Sequence, residues 1–152
     1  MLFRSWNRDA YARLALHPRI LVDVNRIDTA TTLLGRHLEW PVLLAPTALH
    51  RLVHPEGEVE TARGASAAGM PFVVSSFSTR RMKDIAAATT SPLWFQFYDL
   101  SRENHAFVRD LVPELESLGC QALCVTVDAP VPGARNRLVR NRFRIPDDFE
   151  TP

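Results

Sequence analysis

The chain has 152 residues, 46% of them hydrophobic, with a formal net charge of +1 at pH 7. That length fits one domain or part of a larger one, and the near-zero charge argues against a dominant electrostatic partner such as a nucleic-acid backbone. No run of about 20 apolar residues marks a membrane-spanning helix. The start, Met1 to Trp6, lacks the apolar stretch of a signal peptide, so a cytoplasmic location is expected.

In chain order, Ser5 can cap a helix from Trp6 to about Leu16, with Tyr11, Leu14 and Ala15 at helical spacing. Pro18 ends it, and Ile20–Val24 reads as a short strand. Leu33-Leu34-Gly35 gives a turn, and Pro41–Ala45 reads as a buried strand that stops at Pro46-Thr47-Ala48. His54-Pro55-Glu56-Gly57-Glu58 suits the entry to a helix with Val59, Ala62 and Ser66 on one face, stopped by Gly69. His54 is expected to cap or pack, because it has no metal partner.

Pro71–Ser76 is a further buried strand, polar at its end. Ser78 or Thr79 can cap the next helix, which turns Met82, Ile85 and Ala86 inward. Leu93 to Asp99 is an aromatic-rich strand. Trp94, Gln96 and Tyr98 share one face, and Phe95 and Phe97 the other. Ser101 caps a third helix with Glu103 in its first turn and a stripe of Phe107, Leu111, Leu115 and Leu118. Pro113 should kink or break this helix, and Gly119 ends it. Gln121–Asp128 is the next strand, with Cys124, Thr126 and Asp128 on one face. The Arg-rich stretch Arg135–Arg144 shows little apolar periodicity. Cys120 and Cys124, the only cysteines, lack the spacing and histidine neighbours of a zinc site, so free thiols and no metal are expected.

Buried strands alternating with helices mean parallel β-α-β units. Each strand becomes polar toward its C-terminal end, the ligand end of a (β/α) barrel and of an open doubly wound sheet alike. No G-x-G-x-x-G turn marks a nucleotide-binding Rossmann half. Four groups fall on one rim: Pro46-Thr47-Ala48, Ser75-Ser76, Gln96 with Tyr98, and Thr126 with Asp128. Arg135 follows on the next loop. Amides and hydroxyls suit the polar edge of a flat heterocycle, and a phenol with a guanidinium fork suits a carboxylate. The rim therefore points to a planar cofactor beside an anionic substrate.

The chain resembles the FMN-dependent α-hydroxy acid oxidase and dehydrogenase family, which includes glycolate oxidase, lactate oxidase and flavocytochrome b2. The similarity is carried by HPRIL at His17–Leu21, APTA at Ala45–Ala48, HPEGE at His54–Glu58 and SSF at Ser75–Phe77. It continues with FQFY at Phe95–Tyr98, TVDAP at Thr126–Pro130 and NRF at Asn141–Phe143. The resemblance implies a (β/α)8 TIM barrel, with residues 1–152 supplying about its first four β/α units, the N-terminal part of the dehydrogenase domain. It implies FMN as cofactor, bound by Pro46, Thr47, Ala48, Ser75, Gln96 and Thr126, with the Ala48 backbone near flavin N5. It implies a small (S)-2-hydroxy acid of the lactate, glycolate or mandelate type as substrate, its carboxylate held by Tyr98 and Arg135 and Phe77 bordering its pocket. Oxygen or another electron acceptor would take the electrons, and the full-length form would be a homo-oligomer.

The family's histidine base lies in an S-N-H-G-G-R-like stretch. None of His17, His37, His50, His54 and His105 matches it, so no catalytic residue is assigned here and the base is expected beyond Pro152. The family's phosphate-gripping loop likewise has no counterpart. The expectation is therefore a fragment that is inactive alone. Two other readings compete: a non-catalytic half-barrel with exposed sheet edges, and a nucleic-acid module built on Arg135, Arg137, Arg140, Arg142 and Arg144. No aromatic residue interleaves those arginines from 135 to 142 as a stacking platform, so no nucleic-acid partner is expected.

Overall fold

The computed structural model describes residues 2–98, 106–128, 133–146 and 149. The expected cap at Ser101, together with Asp99, Glu103, His105 and Pro130, lies outside them.

The first helix, α1, runs Leu2–Ala12. It starts and ends about four residues earlier than expected, with Ser5 inside it. Ile20–Val24 is not a strand, contrary to expectation. Leu21 adopts a left-handed backbone with φ 62°, and Ile20, Leu21, Val22 and Val24 are all exposed. β-branched residues make a strand only where a neighbour completes the ladder, and none among the described residues does so here. The turn at Leu34-Gly35 is present. Successive positive φ values of 48° and 76° match the turn that joins two twisted antiparallel strands. Those strands, β1 (Thr31–Leu33) and β2 (Arg36–Leu38), pair antiparallel, and Leu38 is buried.

The central layer is a parallel sheet of β3 (Phe72–Ser75), β4 (Leu93–Tyr98) and β5 (Cys120–Thr126), in the order β3-β4-β5. The expected strand Pro41–Ala45 reduces to one parallel bridge, Leu44 to Phe72. Leu44 donates to the Pro71 carbonyl at 2.9 Å, and Val73 donates to the Leu44 carbonyl at 3.0 Å. Pro41 and Pro46 have no N–H to extend this ladder. The segment still lies beside β3, so four successive chain segments run parallel and adjacent.

Helices fill the crossovers: α2 (Glu58–Ala67), α3 (Met82–Ala87) and α4 (Ala106–Ser117). A short 3-10 turn, His50–Leu52, precedes α2, and the short α5 (Asn136–Arg140), which periodicity did not announce, follows β5. Val59, Ala62 and Ala65 from α2, Ile85 from α3 and Leu115 from α4 pack on Phe72, Val74, Leu93, Phe95 and Phe97. This is the apolar face expected for β4, and it leaves Trp94, Gln96 and Tyr98 on the opposite face.

Two helix details differ from expectation. Helix α4 is unbroken through Pro113. Helix α3 has Arg81 as its N-cap without a side-chain bond, because the Thr79 side chain is engaged elsewhere and the Ser78 hydroxyl donates to the Arg80 carbonyl. Cys120 and Cys124 are free thiols, as expected.

Candidate functional site

At the C-terminal ends of β3, β4 and β5 the polar face of the sheet carries a continuous hydrogen-bonded row. Parallel register sets Ser75 opposite Gln96 and Tyr98 opposite Thr126. The Ser75 hydroxyl donates to Gln96 Oε1 at 3.3 Å, and Gln96 Nε2 donates to Thr126 Oγ1 at 2.7 Å. Ser75 Oγ in turn accepts the Phe77 N–H at 3.1 Å, and the Ser76 N–H donates to the Gln96 carbonyl at 3.0 Å. Ser75 and Gln96 are buried, while Thr126 is half-buried. Holding the amide at both ends fixes its orientation and leaves a second Nε2 hydrogen and the Thr126 hydroxyl hydrogen available.

Pro46, Thr47 and Ala48 are exposed and follow the Leu44 bridge. The Leu49 N–H donates to the Phe77 carbonyl at 3.1 Å, so this segment passes just beyond the end of β3. Tyr98 stacks obliquely on Phe77, with ring centroids 5.4 Å apart and planes at 48°. Arg135 sits at the N-cap of α5 and is exposed. Among the described residues no hydrogen bond or ring contact joins it to Tyr98. Of the expected site residues the structure links Ser75, Gln96 and Thr126 directly, while Pro46, Thr47 and Ala48 only lead into the Leu49 bond to Phe77. Asp128, read as part of the rim, is exposed just past the end of β5.

Sequence reasoning missed the group beneath the rim. Glu58 is fully buried. It accepts the His50 N–H at 3.1 Å, the Thr79 N–H at 3.0 Å and the Thr79 hydroxyl at 2.7 Å. Burial pushes this carboxyl up, but the bonds from Thr79 and His50 outweigh it and hold the group below the usual carboxylate range. The acid reads in sequence as an ordinary first-turn residue of α2, and only a buried donor such as Thr79 could have signalled more.

The histidines near the rim are engaged. His50 Nδ1 bonds Thr61 Oγ1 at 2.9 Å. His54 Nδ1 accepts the Glu56 N–H at 3.2 Å, a bond within the turn before α2, whose N-cap Gly57 has no side-chain cap. No group of three metal-ligating side chains occurs among the described residues, and no helix among them is long and apolar enough to cross a membrane. A cavity of about 130 Å³ between α4 and β5 is lined by Leu115, Cys120 and Leu123 among others. It lies along the first half of β5, away from the polar row.

The family model described as FMN-dependent dehydrogenase matches residues 3–152. The chain belongs to that family. It is 42% identical over 140 residues to glycolate oxidase 3 of Oryza sativa subsp. indica, covering 92% of this chain and 38% of the relative. It is 41% identical to glycolate oxidase of Spinacia oleracea, covering 92% and 37%. Among solved structures, mandelate oxidase with 3,3-difluoro-2-hydroxy-3-phenylpropionic acid superposes with a TM-score of 0.86 at 38% identity, covering 95% of this chain and 43% of that one. Mandelate oxidase with benzoyl-formic acid gives 0.85 at 37%, covering 93% and 42%. The chain thus spans about two fifths of the length of the proteins it matches.

Proposed function

We propose that this chain is the N-terminal part of an enzyme that oxidises a small 2-hydroxy acid to the 2-keto acid with FMN. Its parallel segments would form an arc of a (β/α)8 barrel, a fold of about 250 residues. The observation that carries the reading is the row Ser75–Gln96–Thr126 across three adjacent strand ends. A ring edge with alternating carbonyl and N–H groups needs donors and acceptors side by side, and a hydroxyl, an amide and a hydroxyl supply both. The residues present therefore fit the polar edge of the flavin. Family membership and the glycolate and mandelate oxidase relatives support the same reading.

Bound FMN supplies a two-electron acceptor that no side chain offers. In this proposal Gln96 and Thr126 bond the ring, Ser75 holds the Gln96 amide in its plane, and Pro46, Thr47 and Ala48 lie along the ring face. Tyr98 donates its hydroxyl to the substrate carboxylate, while Phe77 stacks against Tyr98 and limits its rotation. Arg135, exposed at the start of α5 and not joined to Tyr98 here, would have to swing toward the same carboxylate when substrate binds. The acceptor of the α-hydroxyl proton is assigned to no residue of this chain. The full-length enzyme would work as a homo-oligomer and pass its electrons to oxygen or another acceptor.

The test is anaerobic. The full-length protein is loaded with FMN and mixed with (S)-lactate, glycolate or (S)-mandelate while the flavin absorbance is followed. Bleaching by at least one of them is expected. A protein that takes up no FMN, or whose flavin none of the three reduces, would overturn the proposal.

A further inference from the structure

Two of the loops that carry the rim are tied to each other by one buried carboxylate. The segment Pro46–Ala48 runs directly into Leu49 and the 3-10 turn His50–Leu52. Ser75 ends β3, and the chain continues through Phe77 to Thr79. Glu58, at the start of α2, touches both paths: it accepts the His50 N–H from the first, and the N–H and hydroxyl of Thr79 from the second. Thr79 Oγ1 closes the ring by accepting the Arg51 N–H at 3.2 Å.

A fully buried carboxylate is costly unless its lone pairs are met. Here they are met by N–H and O–H dipoles alone. The nearest cationic side chain in sequence to the turn, Arg51, lies over the Phe149 ring at 5.1 Å. A charge cradled this way holds its donors at fixed distances and directions, which an ion pair between long side chains does not.

The backbone it holds is strained. Leu49 sits in the left-handed region at φ 59° and ψ 48°, a conformation disfavoured for a bulky non-glycine residue. Gly57 lies at φ 56°, and a Cβ there would stand 2.8 Å from Arg51 Cγ and 3.3 Å from Thr79 Oγ1. Turn, helix start and loop are therefore packed too closely to shift independently.

We propose that Glu58 and Thr79 are positioning residues. Their hydrogen bonds set the Pro46–Ala48 segment at a fixed height against Ser75 and Phe77, so that the two sides of the flavin site keep their spacing. This rests on the FMN reading above. Neither residue touches the cofactor. They act through the peptides that do.

The experiment uses the full-length protein with a Thr79→Val and Thr79→Ser pair. Valine keeps the shape and loses the hydroxyl, and serine keeps the hydroxyl. Ile85→Val and Ile85→Ala, in a fully buried α3 site of the same core, calibrate a loss of stability that leaves the clamp intact. Thr79→Val should weaken FMN binding about tenfold and shift the flavin reduction potential. Thr79→Ser should stay near the parent, and the Ile85 variants should keep parental FMN affinity at an equal drop in melting temperature. Equal flavin affinity in Thr79→Val and a stability-matched Ile85 variant would overturn the positioning role alone, as would equal losses in Thr79→Val and Thr79→Ser. If Thr79→Val does not fold, amide exchange in the parent decides: FMN should slow exchange at His50 and Thr79, and no change there overturns the proposal. A parent that takes up no FMN overturns the function reading, and this one with it.

Discussion

Gln96→Leu is the sharpest perturbation of the polar row. Leucine nearly matches glutamine in volume, so little cavity opens and the effect is mainly polar. The change deletes the bond from the Ser75 hydroxyl at 3.3 Å and the bond to Thr126 at 2.7 Å. Thr126 is half-buried, so water can replace its lost donor at little cost. Ser75 is 4% exposed, and its hydroxyl hydrogen loses its acceptor where water does not reach. One orphaned buried group puts the stability loss of the flavin-free protein at about 1–3 kcal/mol, the lower end being favoured by the long bond. With FMN, a polar ring group facing leucine is also left unpaired, which should weaken binding by about 5- to 150-fold. Urea unfolding of the flavin-free protein gives the first quantity. Titration with FMN and equilibrium reduction of the bound flavin give the second. If flavin affinity and potential are intact and only the KM for the hydroxy acid rises, Gln96 belongs to the substrate and the assignment of the row is wrong.

Arg135→Lys should cost about 2 kcal/mol in transition-state binding, roughly thirtyfold in kcat/KM, because a point charge replaces a two-pronged fork; unchanged steady-state kinetics would remove Arg135 from the substrate site. Gly57→Ala should destabilise by about 1–3 kcal/mol, since it places a Cβ at φ 56° against Arg51 and Thr79; a melting temperature within a degree of the parent would show that the clamp region yields freely.

The parts of the fold that could be read from sequence are those where one local pattern decides. The alternation in Leu93–Tyr98 predicted both faces of β4, because the pleat assigns sides residue by residue. The stripe of α2 was similarly plain, although Ala65, not Ser66, completes its buried face. Of the stripe expected for α4, Leu115 is buried and Leu111 packs beside it, while Leu118 lies past the helix end. Misreadings occurred where a partner decides. Ile20–Val24 has strand composition but no neighbour to pair with among the described residues. Thr31–Leu33 and Arg36–Leu38 have little alternation yet pair across a well-formed turn. Asn136–Arg140 forms a helix without an apolar stripe. At the site, residue types at strand ends picked out Ser75, Gln96 and Thr126, which the structure links in one hydrogen-bonded row. Glu58 could not be predicted this way: a carboxylate in the first turn of a helix is usually solvated, and its burial depends on Thr79, 21 residues away.

The polar row also depends on an irregularity in β5 that composition does not announce. Leu93 pairs with Cys120, but Trp94 pairs with Ala122, so β5 carries one extra residue, Gln121, opposite a single step of β4. Beyond this bulge Gln96 stands opposite Cys124 and Tyr98 opposite Thr126. Without the extra residue, the register set at Leu93 would run on and bring Leu123 opposite Gln96 and Val125 opposite Tyr98. Thr126 would then turn to the other face, and the Gln96 amide would meet a leucine in place of a hydroxyl. A one-residue slip flips a strand's faces, and a bulge is the local device that re-aims them. Inserting one alanine between Leu123 and Cys124 should therefore disrupt the row while leaving the bulge and the start of β5 in place. Thr126 either leaves Gln96 or drags a second irregularity into a strand of 7 residues. The expected result is loss of FMN binding at least as large as in Gln96→Leu. An insertion in the β1–β2 turn at Leu34-Gly35 leaves β5 and the rim loops alone and should keep FMN binding, which separates this effect from general damage. If the β5 insertion binds FMN as the parent does, the row does not depend on this register, and the bond between Gln96 and Thr126 is not what holds the site.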